Sequence, residues 1–435
     1  MAGWTFGRTC VACTLAALVV VGLLALTHAP DPATSAVVVD PLVARPLQPM
    51  IDATPSGGVL RLEPGLYAGP VVIARPMVLR GRSGVMIDGG GVGTVVTVEA
   101  DGVTLRGVAV RNSGDRADTL DAAVRVTGQR AVVEDNVVED CLHGIVLQQS
   151  SGTYVRANRI ASKDVPEEGR GDAVRVWYGR DNVVEANLAT RVRDGISVQA
   201  VGNRIRDNRV HDSRYGIQLL HGDDNVLSGN RLIDDAVGIM AIASDRLVIE
   251  ANLIRSGRDI AGQGVILKDS GRARVIGNDL FASAQAIFID ASPSDPEDIN
   301  LFRDNRFVHN GTAVAFHSDL AGNAFEANRF VGNHTEVVVR GGGTALRNVW
   351  RDNEWDAWVG FDRDGDGIGD TPFEVWSWAD QIWMDVPEAQ LFRAAPSLTL
   401  VDFVERLAPF AAPRLLLRDS SPRLVRAARP TVEGP

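Results

Sequence analysis

The chain has 435 residues, 45% of them hydrophobic, which is ample material for a large core. With 55 acidic against 44 basic residues and a formal net charge of −11, it lacks a nucleic-acid footprint, and no nucleic-acid partner is expected. The basic residues are nearly all arginine, Lys163 and Lys268 being the sole lysines. Cys10 and Cys13 fall in the N-terminal apolar segment, which leaves Cys141 as a small core filler and no intrachain disulfide.

Residues 1–29 read as a secretory signal. Arg8 precedes an apolar run from Val11 to Leu26, and Thr27-His-Ala29 fits a cleavage site. A run of about 16 apolar residues is short for a membrane span, which favours cleavage over an uncleaved anchor. Residues 30–57 form a linker and N-terminal cap, with a short helix predicted from Pro46 to Thr54 over the open first coil. Ile87-Asp-Gly-Gly-Gly91 is a glycine-rich turn. It is not a phosphate loop, because neither a Lys-Ser/Thr pair nor a helix follows.

From 58 to 356 the chain repeats. Asparagine recurs at Asn136, Asn158, Asn187, Asn208, Asn230, Asn252, Asn278, Asn305, Asn328 and Asn353, at intervals near 22 residues with tolerated insertions. Three residues before each stands an apolar residue (Val133, Ile205 and Phe325 among them), and two residues after each stands another (Val138, Val210, Phe330). A third strand opens with Gly144, Gly195, Gly216, Gly238 or Gly264, followed by alternating apolar positions such as Ile217 and Leu219. Period-two alternation rich in β-branched residues predicts strands. Three short strands per coil of roughly 22 residues give an all-β, right-handed parallel β-helix. The asparagines are expected at a tight corner, in the left-handed conformation, with their amides bonded to the next rung. Insertions at 161–171, 257–263 and 291–298 project as loops.

The outward column of the third strand carries Arg175, Ser197 and Gln218, then Met240, Ile266 and Phe288. The last three predict an exposed apolar stripe that binds a partner or lies under an insertion loop. None of the seven histidines has metal-ligand spacing, and each reads as a surface or turn residue. The acid pairs Asp223-Asp224 and Asp234-Asp235 read as solvated turns rather than a glycosidase dyad.

Residues 357–386 form an Asp-rich loop within a tryptophan-rich cap. Asp362, Asp364, Asp366 and Asp370 stand at positions 1, 3, 5 and 9 of an EF-hand-like loop, with Gly367 at position 6 and the Ile368 carbonyl at position 7. Calcium is the expected ion, although position 12 is Phe373 and Glu374 falls one place late. Residues 387–435 read as two short helices, Glu388 to Arg393 and Ser397 to Leu407, followed by an extended tail.

An exported solenoid ending in Asn353-Glu-Trp, then Asp362-Arg-Asp-Gly-Asp-Gly-Ile-Gly-Asp-Thr-Pro-Phe373, Asp380-Gln and Pro387-Glu-Ala-Gln-Leu-Phe, resembles the NosD family. Pro64-Gly-Leu-Tyr-Ala-Gly-Pro70 and Ile87-Asp-Gly-Gly-Gly91 are also similar to it. The resemblance implies a non-catalytic periplasmic protein docked on the membrane subunit of an ABC transporter. With a copper chaperone it would assist assembly of the copper–sulfur cluster of nitrous-oxide reductase. Copper would be handled transiently, by ligands that the sequence does not identify. The rival reading is a secreted β-helix polysaccharide lyase, hydrolase or epimerase.

Overall fold

The computed structural model describes residues 44–256, 261–377, 404 and 413–424. The predicted signal, most of the linker, part of the 257–263 insertion, Asp380-Gln, and the two C-terminal helices apart from Val404 lie outside these residues. Three parallel sheets of 14, 13 and 12 strands wind about one apolar interior, each coil giving one strand to each sheet. Because side chains alternate across a strand, one column per sheet points inward. Val133, Val155, Val184, Ile205, Leu227 and Ile249 stack in the 13-stranded sheet. Ile196, Ile217, Ile239, Val265 and Ile287 stack in the 12-stranded sheet. All are at most 1% exposed, which fixes the register, since a one-residue slip would turn each column to solvent.

The corner asparagines form the expected ladder. In each rung the Asn208 type of amide accepts from the backbone N–H and side-chain Nδ2 of the rung before, at 3.0 Å for Asn187. The Asn208 Nδ2 donates in turn to the Val184 carbonyl at 2.9 Å. One detail differs from expectation. The left-handed residue is the one before the asparagine: Ala186, Asp207, Gly229 and Ala251 have φ between 54° and 65°. The asparagine must aim its amide along the ladder, so the turn strain falls on a neighbour whose side chain is small or faces solvent. A second ladder runs through Asn182, Asn203 and Asn225.

The glycines that open the third strand serve close approach. A Cβ on Gly238 would stand 2.4 Å from Ile254 Cγ2 and 2.7 Å from the Gly264 carbonyl oxygen. Both ends are closed. The helix Gln48–Ala53 seats Leu47 and Ile51 in the core. The preceding strand Arg45–Pro46 already pairs with Tyr67 and Ala68, so the solenoid begins ahead of residue 58. At the far end the inward columns turn aromatic. Phe302, Phe325 and Trp350 stack at 4.5 and 4.1 Å, and Phe307, Phe330, Trp355 and Phe373 at 4.7, 4.0 and 4.4 Å.

The C-terminal segment expected as a tail instead returns as the strand Arg414–Asp419, antiparallel to Phe373–Ser377. The apolar Leu416 and Leu417 need burial and find it against the last coils. Buried Asp419 terminates the asparagine ladder. Its carboxylate accepts from Asn353 Nδ2 at 2.9 Å and Trp355 Nε1 at 3.0 Å.

Candidate functional site

The outer face of the 12-stranded sheet divides into two chemistries along one register. Arg125, Val146, Arg175, Ser197, Gln218, Met240, Ile266, Phe288, Ala315 and Val338 stand side by side on successive strands. In the first half a buried ionic network sits at the strand starts. Asp172 accepts from Arg175 Nη1 at 3.0 Å and Arg193 Nη2 at 2.8 Å. Asp194 accepts from Arg214 Nε at 2.9 Å and Nη2 at 2.7 Å. The Asp172 backbone N–H donates to His143 Nδ1 at 3.0 Å. Burial, and secondarily the nearby Asp172 charge, raise the Asp194 carboxyl above its ordinary value, with Arg214 opposing. Burial likewise lowers the His143 imidazole below its ordinary value.

Sequence reading missed this cluster because its members come from different coils. A signal was present in the near-coil spacings of Asp172 and Asp194 and of Arg193 and Arg214. His143 is buried in it, contrary to the surface or turn position expected. Asp235 also departs from the solvated turn expected, lying buried where it accepts from Ser213 Oγ at 2.7 Å.

The second half is apolar but not the exposed stripe predicted. Ile266 is 6% exposed, and Met240 and Phe288 are half-buried. Stacked side chains on adjacent rungs cover one another at a spacing of about 4.8 Å. In addition, the Arg340 guanidinium lies over the Phe288 ring at 5.0 Å and His317 meets it edge-on. Farther along, Val338 packs with Leu416 of the returning strand.

The Asp-rich loop is a chain of carboxylate-capped turns. Asp362 accepts from the N–H groups of Gly365 at 2.7 Å and Gly367 at 2.9 Å, and Asp366 from that of Ile368 at 2.8 Å. Gly365 and Gly367 have φ of 77° and 88°, the left-handed region that favours glycine. Ligand oxygens of Asp362, Asp364 and Asp366 lie within 4.8 Å of one another, whereas Asp370 is outside that group and accepts from the Arg363 N–H at 2.6 Å. The Gly367 N–H holds the Asp362 carboxyl below its ordinary value. The Asp366 N–H favours ionised Asp364, but the Asp366 charge and desolvation outweigh it and the net shift is upward.

Among the described residues this is the one convergent group of three or more His, Cys, Asp or Glu side chains. An all-carboxylate set suits a hard cation and does not fit copper, which favours imidazole and sulfur. Cys141 does not supply the missing sulfur, since burial pushes its thiol up to about 12. Both lysines are engaged, Lys163 with Asp115 at 2.6 Å and Lys268 with Asp290.

Comparison with known proteins extends these observations. Residues 157–357 match the family model described as periplasmic copper-binding protein (NosD), and residues 81–212 match a right-handed β-helix region. A probable ABC transporter binding protein NosD of Pseudomonas aeruginosa is 29% identical over 379 residues, covering 80% of this chain and 84% of that protein. Its namesake from Stutzerimonas stutzeri is 25% identical, with 80% and 83% covered. Among solved structures, the A-module of an Azotobacter vinelandii mannuronan C-5 epimerase aligns with TM-score 0.52 at 16% identity, over 69% of this chain and 93% of that one. An alginate lyase aligns with TM-score 0.53 at 14% identity, over 71% and 82%. At those identities the enzymes share the fold alone. The sequence likeness, over residues 157–357 in the family model and over four fifths of the chain in both relatives, makes the chain similar to the NosD family.

Proposed function

We propose that this chain is a periplasmic, non-catalytic accessory protein. It docks on the membrane subunit of an ABC transporter and, together with a copper chaperone, serves copper–sulfur cluster assembly in nitrous-oxide reductase. The observation that carries this reading is the likeness, over four fifths of the chain, to proteins named as ABC transporter binding proteins. Copper is cargo in this reading, passed between partners without a resident site among the described residues. Met240 and Phe288 supply the docking contact, with buried Ile266 supporting them from within the same column. Calcium held by Asp362, Asp364, Asp366, the Ile368 carbonyl and Asp370 orders the loop beside the last coil.

The polysaccharide-enzyme reading is weaker because it needs free carboxylates and a free base. Here the buried pair Asp172 and Asp194 is matched by arginines, and both lysines are ion-paired. The test is co-isolation of the full chain with the transporter's membrane subunit, beside reductase copper content in cells lacking this protein. Co-isolation and copper-poor reductase are expected. Copper-replete reductase together with cleavage of a polyuronate by the purified chain would replace this reading with the enzymatic one.

A further inference from the structure

The coil built on Asp194–Val201 breaks the corner pattern of its neighbours. Val176, Val198 and Leu219 stand in register, and Asn182, Asn203 and Asn225 are hydrogen-bonded rung to rung. Between those two fixed columns the flanking coils run six residues, Val176 to Asn182 and Leu219 to Asn225. The middle coil runs five, Val198 to Asn203. The flanking coils turn through a left-handed residue, Tyr178 with φ 53° and His221 with φ 50°. The middle coil has no such residue before Gly202. The pairing compensates with a bulge, Trp177 opposite Gln199 but Arg180 opposite Val201. Bulges re-aim side chains and recur beside binding sites.

The missing corner residue leaves a notch. It is an open cavity of about 590 Å³ lined by Ser151, Tyr178, Arg180, Gln199, Val201 and His221, among others. Tyr178 is 60% exposed and Val201 42%, and Tyr178 tilts against Trp177 with ring centroids 5.2 Å apart. Tyr178 and His221 spring from coils two rungs apart, a backbone separation of about 10 Å. One ring with a van der Waals contact of about 3.5–4.0 Å on each face needs about 7–8 Å, so that spacing admits one ring and not two. Around its rim stand hydrogen-bonding groups of Ser151, Arg180, Gln199 and His221, and among the described residues the Arg180 guanidinium forms no ion pair.

We propose that this notch binds one pyranose unit of a glycan, held between Tyr178 and His221. A pyranose offers two faces of C–H groups for aromatic contact and a rim of hydroxyls for the amide and guanidinium. The inference is independent of transporter docking, which falls on the other half of the face.

The test is calorimetric titration of the full-length protein with chitotetraose and, separately, with tetragalacturonate, so that neutral and acidic sources are distinguished. Binding of at least one is expected. Tyr178→Gly should weaken it about tenfold or more. The same change should leave the melting temperature unchanged or raised, because glycine relieves the left-handed strain. Tyr178→Phe should retain binding. Insertion of one alanine after Ala200, which restores the six-residue step and fills the notch, should abolish it in a protein of unchanged circular dichroism. The proposal is overturned if neither oligosaccharide binds the wild-type protein, or if Tyr178→Gly binds as well as wild type.

Discussion

On the outer face of the 12-stranded sheet, the coils from Arg125 to Gln218 and those from Met240 to Val338 carry one continuous outward column. The first half sinks two carboxylates among arginines and leaves a notch open to solvent. The second fills the same column with apolar side chains, partly closed over by Arg340, His317 and Leu416. The inward columns are apolar in both halves, so they carry the fold. The outward columns are not, and the two kinds of recognition proposed for this protein are assigned to different halves for that reason.

The frame common to both halves is the first thing to break. Ile217→Asp should place an unpaired carboxylate in the interior and cost on the order of 5 kcal/mol, while Gln218→Asp on the outer face is tolerated. Equal melting temperatures for the two variants would refute the register. Within the polar half, Asp172→Ala strands Arg175 and Arg193 and should cost about 3–5 kcal/mol, measured by denaturant unfolding. A change below about 1 kcal/mol would mean that solvent already screens the network.

Much of this architecture is legible in the sequence, because a solenoid repeats its constraints. The asparagine ladder, both apolar columns and the entry glycines recur at nearly fixed spacing, so each coil corroborates the next. What was not legible lies where coils touch outside that pattern. The exposure expected of Ile266 failed because periodicity places its stack neighbours Met240 and Phe288 but not how closely they cover it, nor the elements folded over the sheet. Asp172 and Asp194 find their arginines on the following coil, Arg193 and Arg214, a pairing that the column pattern does not announce. The left-handed turn fell one residue before each asparagine, since the repeat alone does not say which of two adjacent residues must aim its side chain inward. The returning strand Arg414–Asp419 escaped notice because it pairs once, without a repeat to announce it.

Two smaller effects sharpen the contrast at the C-terminal end of the apolar half. Calcium bound at the Asp loop should stabilise the folded protein by about 1–3 kcal/mol at saturation. Chelation should change the fluorescence of Trp358, whose ring lies against Gly360 and Gly369 of the loop. If chelator and Asp364→Ala both leave melting and fluorescence unaltered, the loop is an acidic turn without a metal.

The other effect is a pH dependence. Burial, aided by the Asp356 charge, raises the Glu336 carboxyl to about 8. A folded-state value above the unfolded one means that the group's contribution is complete below about pH 4.5 and is lost as pH rises through about 8. Glu336→Gln should therefore flatten the decline in melting temperature between pH 5 and 9 and gain most at the alkaline end. An unchanged profile would place Glu336 in contact with water.

The docking role of the apolar half has the most direct test in a pair of substitutions in one column. Phe288→Glu and Met240→Leu would each be introduced into the full chain and assayed for co-isolation with the transporter's membrane subunit and for reductase copper content. The account predicts that Phe288→Glu loses the subunit and lowers reductase copper while the melting curve stays intact, and that Met240→Leu preserves both. Undiminished co-isolation by a folded Phe288→Glu protein would contradict it and move the docking contact off this face.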